Sequence, residues 1–119
     1  MAEHNDLGRF GEELAANYLR EQGYDILETN WVFEKAEIDI LALRENVLSV
    51  VEVKTRSGTD FGLPQEFVNA KKIRMLVRAV NAFVASRNID ANVRFDIIGI
   101  HKVNNGFRIT HIPDAFYYF

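Results

Sequence analysis

Leu7, Phe10, Leu14 and Tyr18 recur at helical spacing near the start of the chain, with Asp6 placed to cap the first turn and Gly23 to end the segment. This pattern predicts a helix over about 7–22. Tyr24 to Phe33 is rich in aromatic and β-branched residues and reads as a strand. Glu37 to Leu43 reads as a second strand and Val47 to Thr55 as a third. The third begins apolar on both faces (Val47, Leu48, Val50, Val51), as a central strand covered on both sides does. A loop from Ser57 to Pro64 leads into a long helix over about 65–86, with Ile73, Leu76, Val77, Val80, Phe83 and Val84 on its core side. Arg94 to Ile100 reads as a fourth strand, Asn104-Asn105-Gly106 as a hairpin turn and Phe107 to Ile112 as a fifth strand. The predicted order is α-β-β-β-α-β-β, an α/β fold with a mixed sheet flanked by helices.

Composition narrows the class. The 119 residues fit one domain, 1–119, and 48% hydrophobic residues are enough to fill a core, which excludes wholesale disorder. Cysteine is absent, so disulfides, thiolate metal sites and cysteine nucleophiles are excluded. No basic-then-apolar leader opens the chain and no stretch approaches a membrane span, so the expected location is the cytoplasm. A net charge of −3 argues against a protein that coats DNA, while leaving room for one local basic patch.

Candidate chemistry concentrates in the third strand. Its end reads Val51-Glu52-Val53-Lys54-Thr55-Arg56, and strand alternation puts Glu52 and Lys54 on one face. Taken alone, that pair is as well explained by a salt bridge where the strand reaches solvent. Asp39 alters the weighing. A hairpin centred between Glu45 and Asn46 pairs Arg44 with Val47 and Leu43 with Leu48, and the same register sets Asp39 opposite Glu52. Two opposed carboxylates repel unless a cation lies between them. Glu37 would then face Lys54 as an ordinary partner.

In the first helix, Glu13 has Arg9 and Asn17 as neighbours on a solvated face. Glu12 is flanked by Gly8, Ala15 and Ala16, a small-residue face able to approach a sheet. It is either a third acid of the same site or an ordinary helix-surface glutamate. Hard carboxylates beside a lysine suit Mg²⁺ or Mn²⁺ rather than zinc, and with such an ion they form the toolkit of phosphodiester hydrolysis.

The long helix holds Lys71, Lys72, Arg74, Arg78 and Arg87 and no acid between Phe67 and Ile89. Lys71, Arg74 and Arg78 share one stripe. A solvated face is the usual meaning of such a stripe; beside an acid cluster it becomes a candidate for phosphate contact. There is no P-loop, dinucleotide fingerprint or nucleophile elbow. His4, His101 and His111 are dispersed and read as structural. The aromatic tail Phe116 to Phe119 reads as a segment that docks on the core or on a subunit partner.

Gly8-Arg9-Phe10-Gly11-Glu12, Ala36-Glu37-Ile38-Asp39-Ile40, Val51-Glu52-Val53-Lys54-Thr55-Arg56, Phe61-Gly62-Leu63-Pro64 and Arg94-Phe95-Asp96 together resemble the YraN-like family of uncharacterised bacterial proteins. The resemblance covers nearly the whole chain. It implies a restriction-endonuclease-like fold similar to the archaeal Holliday junction resolvases of the PD-(D/E)xK nuclease superfamily. Asp39 then fills the aspartate place and Glu52-Val53-Lys54 the (D/E)xK place. Glu12 matches the glutamate of the resolvases' first helix, and Val53 would offer its carbonyl to the metal beside Asp39 and Glu52. Ala36 stands where the family normally has glycine.

The expectation is a Mg²⁺-dependent endonuclease (Mn²⁺ serving as well) acting on branched or structured DNA. Glu12, Asp39, Glu52 and Lys54 are its catalytic residues, Asp39, Glu52 and Val53 its metal ligands, and Lys71, Arg74 and Arg78 its phosphate contacts. The likeness to resolvases adds a homodimer; the lack of an apolar span leaves no membrane partner expected. The rivals are a nucleic-acid-binding or protein-interaction module that uses the nuclease fold without cutting, and an assembly protein working through its basic helix and aromatic tail.

Overall fold

The structure is a computed structural model that describes residues 2–56 and 69–115, with side chains from Leu7 onward. The loop at 57–64, the predicted helix residues 65–68 and the aromatic tail at 116–119 lie outside the described residues.

The elements are α1 (Ala2–Glu21), β1 (Asp25–Phe33), β2 (Ala36–Arg44), β3 (Val47–Arg56), α2 (Ala70–Arg87), β4 (Asn92–Val103) and β5 (Gly106–Ile112). The order is the expected α-β-β-β-α-β-β. One five-stranded mixed sheet runs β1-β2-β3-β4-β5. The hairpins pair antiparallel, and β3 pairs β4 in parallel, the geometry that requires a crossover, here α2.

Two helix starts differ from expectation. α1 begins at Ala2, so Asp6 lies inside the helix instead of capping it. Nothing in Ala2 to Asp6 breaks a helix, and a helix once nucleated propagates cheaply. α2 begins at Ala70 instead of near Pro64. Asn69 is extended (φ −116°, ψ 176°), and its side chain accepts the Lys72 N–H at 2.9 Å, so the backbone cannot be helical through it.

Each face of the sheet carries one helix. Leu76, Ala79, Val80 and Phe83 of α2 pack with Ile38, Leu41, Leu48, Val50 and Ile97. Ala15, Ala16 and Leu19 of α1 pack with Ile40, Ala42, Val51, Ile98 and Ile100. Val50 and Val51 therefore serve opposite layers, which is why the first half of β3 is apolar on both faces. Ala36 is buried in the α2 layer and has no positive φ, so its methyl group is accommodated at the start of β2.

Beneath the α1 layer sits one polar anchor. Asp96, fully buried on β4, accepts from Arg94 Nε and Nη2 (2.9 and 2.8 Å), Ser49 Oγ (2.6 Å) and the Asp114 N–H (3.1 Å), and its Oδ2 is 2.8 Å from His111 Nε2. Burial alone would raise this carboxyl; the bonds from His111, Arg94 and Ser49 outweigh it and pull the pKa down to about 2. Through these bonds Asp96 ties β3, β4 and β5 together. The His111 ring also stands 3.3 Å from the Tyr18 hydroxyl of α1, a structural role for that histidine.

Candidate active site

The site forms where the sheet splits. The β2–β3 ladder runs from Arg44↔Val47 to Ile40↔Val51, in the register expected from the turn at Glu45-Asn46. It stops one pair short of Asp39 and Glu52. Ile38 and Leu41 belong to the α2 layer while Ile40 and Ala42 belong to the α1 layer. Residues three apart on a regular strand face opposite sides, so the alternation slips by one residue at Asp39. Asn30, on the neighbouring strand, has φ 51°, and Thr29↔Ile40 and Trp31↔Ile38 remain paired across the slip. β1 and β2 thus stay paired where β2 has parted from β3.

In the fork that opens, the Asp39 carboxylate replaces the missing strand. Its Oδ2 accepts the Val53 N–H at 2.8 Å. A strand residue's N–H and C=O point to the same edge, so the Val53 carbonyl also opens toward the fork. Asp39 is not in the backbone ladder with Glu52, as the simple register had it; its side chain reaches the residue beyond.

Glu52 and Lys54 share a face of β3, as alternation requires, with Lys54 Nζ 3.5 Å from Glu52 Oε2. A second ammonium, Lys72 Nζ, comes from the first turn of α2 to 2.9 Å from the same oxygen. The charge stripe did not single out Lys72. The signal was its place four residues before Leu76, on the side of α2 that packs on the sheet.

Glu12 approaches from the α1 side. Gly11 makes this possible: a methyl group there would collide with the Thr55 hydroxyl and stand 3.1 Å from its Cβ. The contact brings the first half of α1 against the end of β3. Glu12 is half-buried, whereas Glu13 is exposed as its wheel position predicts. Glu12 also lines an open groove of about 440 Å³ together with Arg9, Asn17, Arg20, Thr29 and Asn30.

These acids converge electrostatically on Asp39. Its pKa is raised from 3.8 to about 7, first by burial, then by the negative charges of Glu52, Glu12 and Glu37, against the lowering effect of the Val53 N–H. Among the described residues no three His, Asp or Glu side chains form a ready-made metal cage. On α2, Lys71 and Arg74 are exposed, and Arg78 is exposed but paired with Glu34 of the β1–β2 turn at 2.9 Å. The stripe lies on the helix that also delivers Lys72. No helix among the described residues is long and apolar enough to cross a membrane.

The comparisons agree with the motifs. The uncharacterised protein family UPF0102 matches residues 11–100, a span that holds Glu12, Asp39, Glu52, Lys54 and the basic stripe. UPF0102 proteins of Flavobacterium psychrophilum and Flavobacterium johnsoniae are 59% identical over 119 residues and 58% identical over 123, each alignment covering 100% of both chains. A UPF0102 protein of Bacteroides thetaiotaomicron is 51% identical over 117 residues, covering 98% of this chain and 97% of its own. The chain is thus an α/β protein of restriction-endonuclease-like architecture. It belongs to the UPF0102, or YraN-like, family.

Proposed function

We propose that this chain is a Mg²⁺-dependent endonuclease that hydrolyses phosphodiester bonds in branched or otherwise structured DNA. The observation that supports this reading best is the fork, where Asp39 bonds the Val53 N–H and Glu52, the residue before Val53, pairs with Lys54. Asp39 is held near pKa 7 by burial and by three neighbouring acids, an arrangement that a divalent cation relieves.

Asp39 and Glu52 would hold the ion, with the Val53 carbonyl beside them and Glu12 acting through water. Two carboxylates suit Mg²⁺, which keeps much of its own water and takes few protein ligands, so a closed cage of acids is unnecessary. Mn²⁺ accepts the same oxygen donors. When bound, such an ion lowers the pKa of a water molecule and offsets charge on a phosphoryl oxygen. Lys54 orients the attacking water and adds positive charge where the transition state gathers negative charge. Lys71, Arg74 and Arg78 hold the sugar-phosphate backbone; the exposed Arg78–Glu34 pair is weak enough to exchange for phosphate.

The test is a cleavage assay on linear, flapped and four-way DNA with Mg²⁺ or Mn²⁺, with Lys54→Ala as control. Metal-dependent cleavage of structured DNA that is lost in Lys54→Ala is expected. One observation favours a second reading. Glu52 is already neutralised by two ammonium groups, as suits a module that holds DNA without cutting it. Salt-sensitive binding with no cleavage under any metal would select that module.

A further inference from the structure

Glu52 carries more positive charge than it needs. Lys72 Nζ lies 2.9 Å and Lys54 Nζ 3.5 Å from the same oxygen, Oε2, of a side chain only 11% exposed. A dication shared by Asp39 and Glu52 must approach Glu52 against both ammonium groups, so one of them has to yield.

The two lysines differ in what fixes them. Lys54 stands two residues from Glu52 on the same face of the same strand, so the backbone sets their separation. Lys72 reaches across from α2 on a flexible four-carbon stem and is the more exposed of the two, at 38% against 24%. Its origin also matters. Lys72 lies in the first turn of α2, which has no acid, beside Lys71 and at the positive end of the helix dipole. A cation there needs an anionic partner, and Glu52 supplies it. Once displaced, the Lys72 ammonium is free to pair with a different anion, and the substrate brings one as a phosphodiester.

We propose that Lys72 is the exchangeable counter-ion of Glu52: it holds that carboxylate in the metal-free protein, gives way to the divalent ion, and then pairs with a substrate phosphate. Lys72 thus acts as a positioning residue before the metal arrives and as a substrate contact afterwards. The proposal rests on the nuclease reading of the fork.

The test uses the full chain with Lys72→Met, which keeps the stem and removes the charge, and with Lys72→Arg, which keeps the charge. Calorimetric titration with Mn²⁺ is expected to show about three- to tenfold tighter binding for Lys72→Met, because a competing cation is gone, and near wild-type binding for Lys72→Arg. A purely structural salt bridge gives the opposite sign, since its loss would loosen Glu52. Equal or weaker Mn²⁺ binding by Lys72→Met, with native circular dichroism, overturns the exchange.

Fluorescence anisotropy with a flapped duplex, with and without Ca²⁺, tests the second half. Lys72→Met should weaken DNA binding when the ion is present and leave it nearly unchanged when the ion is absent. An equal loss in both conditions overturns the movement of Lys72. Wild-type protein that binds no Mn²⁺ brings down the nuclease reading and this proposal together. Wild-type binding that Lys72→Met does not alter brings down the proposal alone.

Discussion

The Asp39 carboxylate accepts the backbone N–H of Val53 at 2.8 Å, at the point where the β2–β3 ladder has run out of backbone partners. A charged side chain takes the place of a strand carbonyl, and the bond fixes its rotamer beside Glu52. It does so at an electrostatic cost, since burial and the nearby acids hold the group near pKa 7.

The sign of that cost is testable. Between about pH 4 and pH 7 the folded protein keeps the Asp39 proton and the unfolded chain has lost it, so metal-free stability falls as pH rises through this window. Asp39→Asn preserves the acceptor for Val53 and removes the charge. Urea unfolding in EDTA should show the variant more stable than wild type at pH 8, by about 1–3 kcal/mol after allowing for partial solvation, with little difference near pH 4.

Gly11 sets the distance between α1 and β3. Gly11→Ala forces the helix off Thr55, whose branched Cβ has little rotamer freedom, at an expected cost of about 1–3 kcal/mol. Glu12 moves with the helix, so metal-dependent cleavage should fall more than stability does. Thermal melts and cleavage rates measure the two effects, and adding Thr55→Ala should restore most of both.

Asp96 has the opposite pH behaviour. Its folded pKa of about 2 lies below the ordinary 3.8, so its contribution is complete above about pH 4 and is lost as pH falls through about 2. The contribution is about 2 kcal/mol by proton linkage. Asp96→Asn should cost about 3–5 kcal/mol at pH 7 by leaving Arg94 without its counter-charge, and should flatten the acid limb of the stability curve. Chemical denaturation from pH 2 to pH 7 measures both.

Reversing Lys71, Arg74 and Arg78 to glutamate should weaken DNA binding and make its salt dependence shallower, because fewer phosphates are neutralised and fewer counterions are released on binding. The third change also sets a glutamate against Glu34. Anisotropy titrations at several salt concentrations give affinity and slope together. An unchanged slope would return the stripe to ordinary solvated surface.

The fold was legible because its signals are local. Glu45-Asn46 pinned one hairpin and the doubly apolar Val50-Val51 marked the central strand. The fork was only half legible. Leu41, Ala42 and Leu43 are apolar in succession, so a one-residue slip at Asp39 leaves no trace in the hydrophobic pattern. The slip lies across from Asn30 of the neighbouring strand, which has φ 51°, a feature of the strand pairing and not of the β2 sequence. Lys72 lies off the stripe of Lys71, Arg74 and Arg78, and its position four residues before buried Leu76 is the sequence cue that turns it toward the sheet. The Asp96 anchor joins Ser49, Arg94 and His111, and only the β3–β4 and β4–β5 pairings bring those residues together. The helix starts differ from the sequence pattern because Asn69, not a residue near Pro64, caps α2, and α1 runs through Asp6.

The central claim is that Asp39 and Glu52 hold a divalent ion beside Lys54, and a calorimetric Mn²⁺ titration of wild type, Asp39→Asn and Lys54→Ala tests it most directly. The expected result is one ion bound by wild type, retained by Lys54→Ala, and weakened at least about tenfold in a folded Asp39→Asn. Wild-type protein that binds no ion, or Asp39→Asn that binds it as tightly as wild type, would contradict the claim.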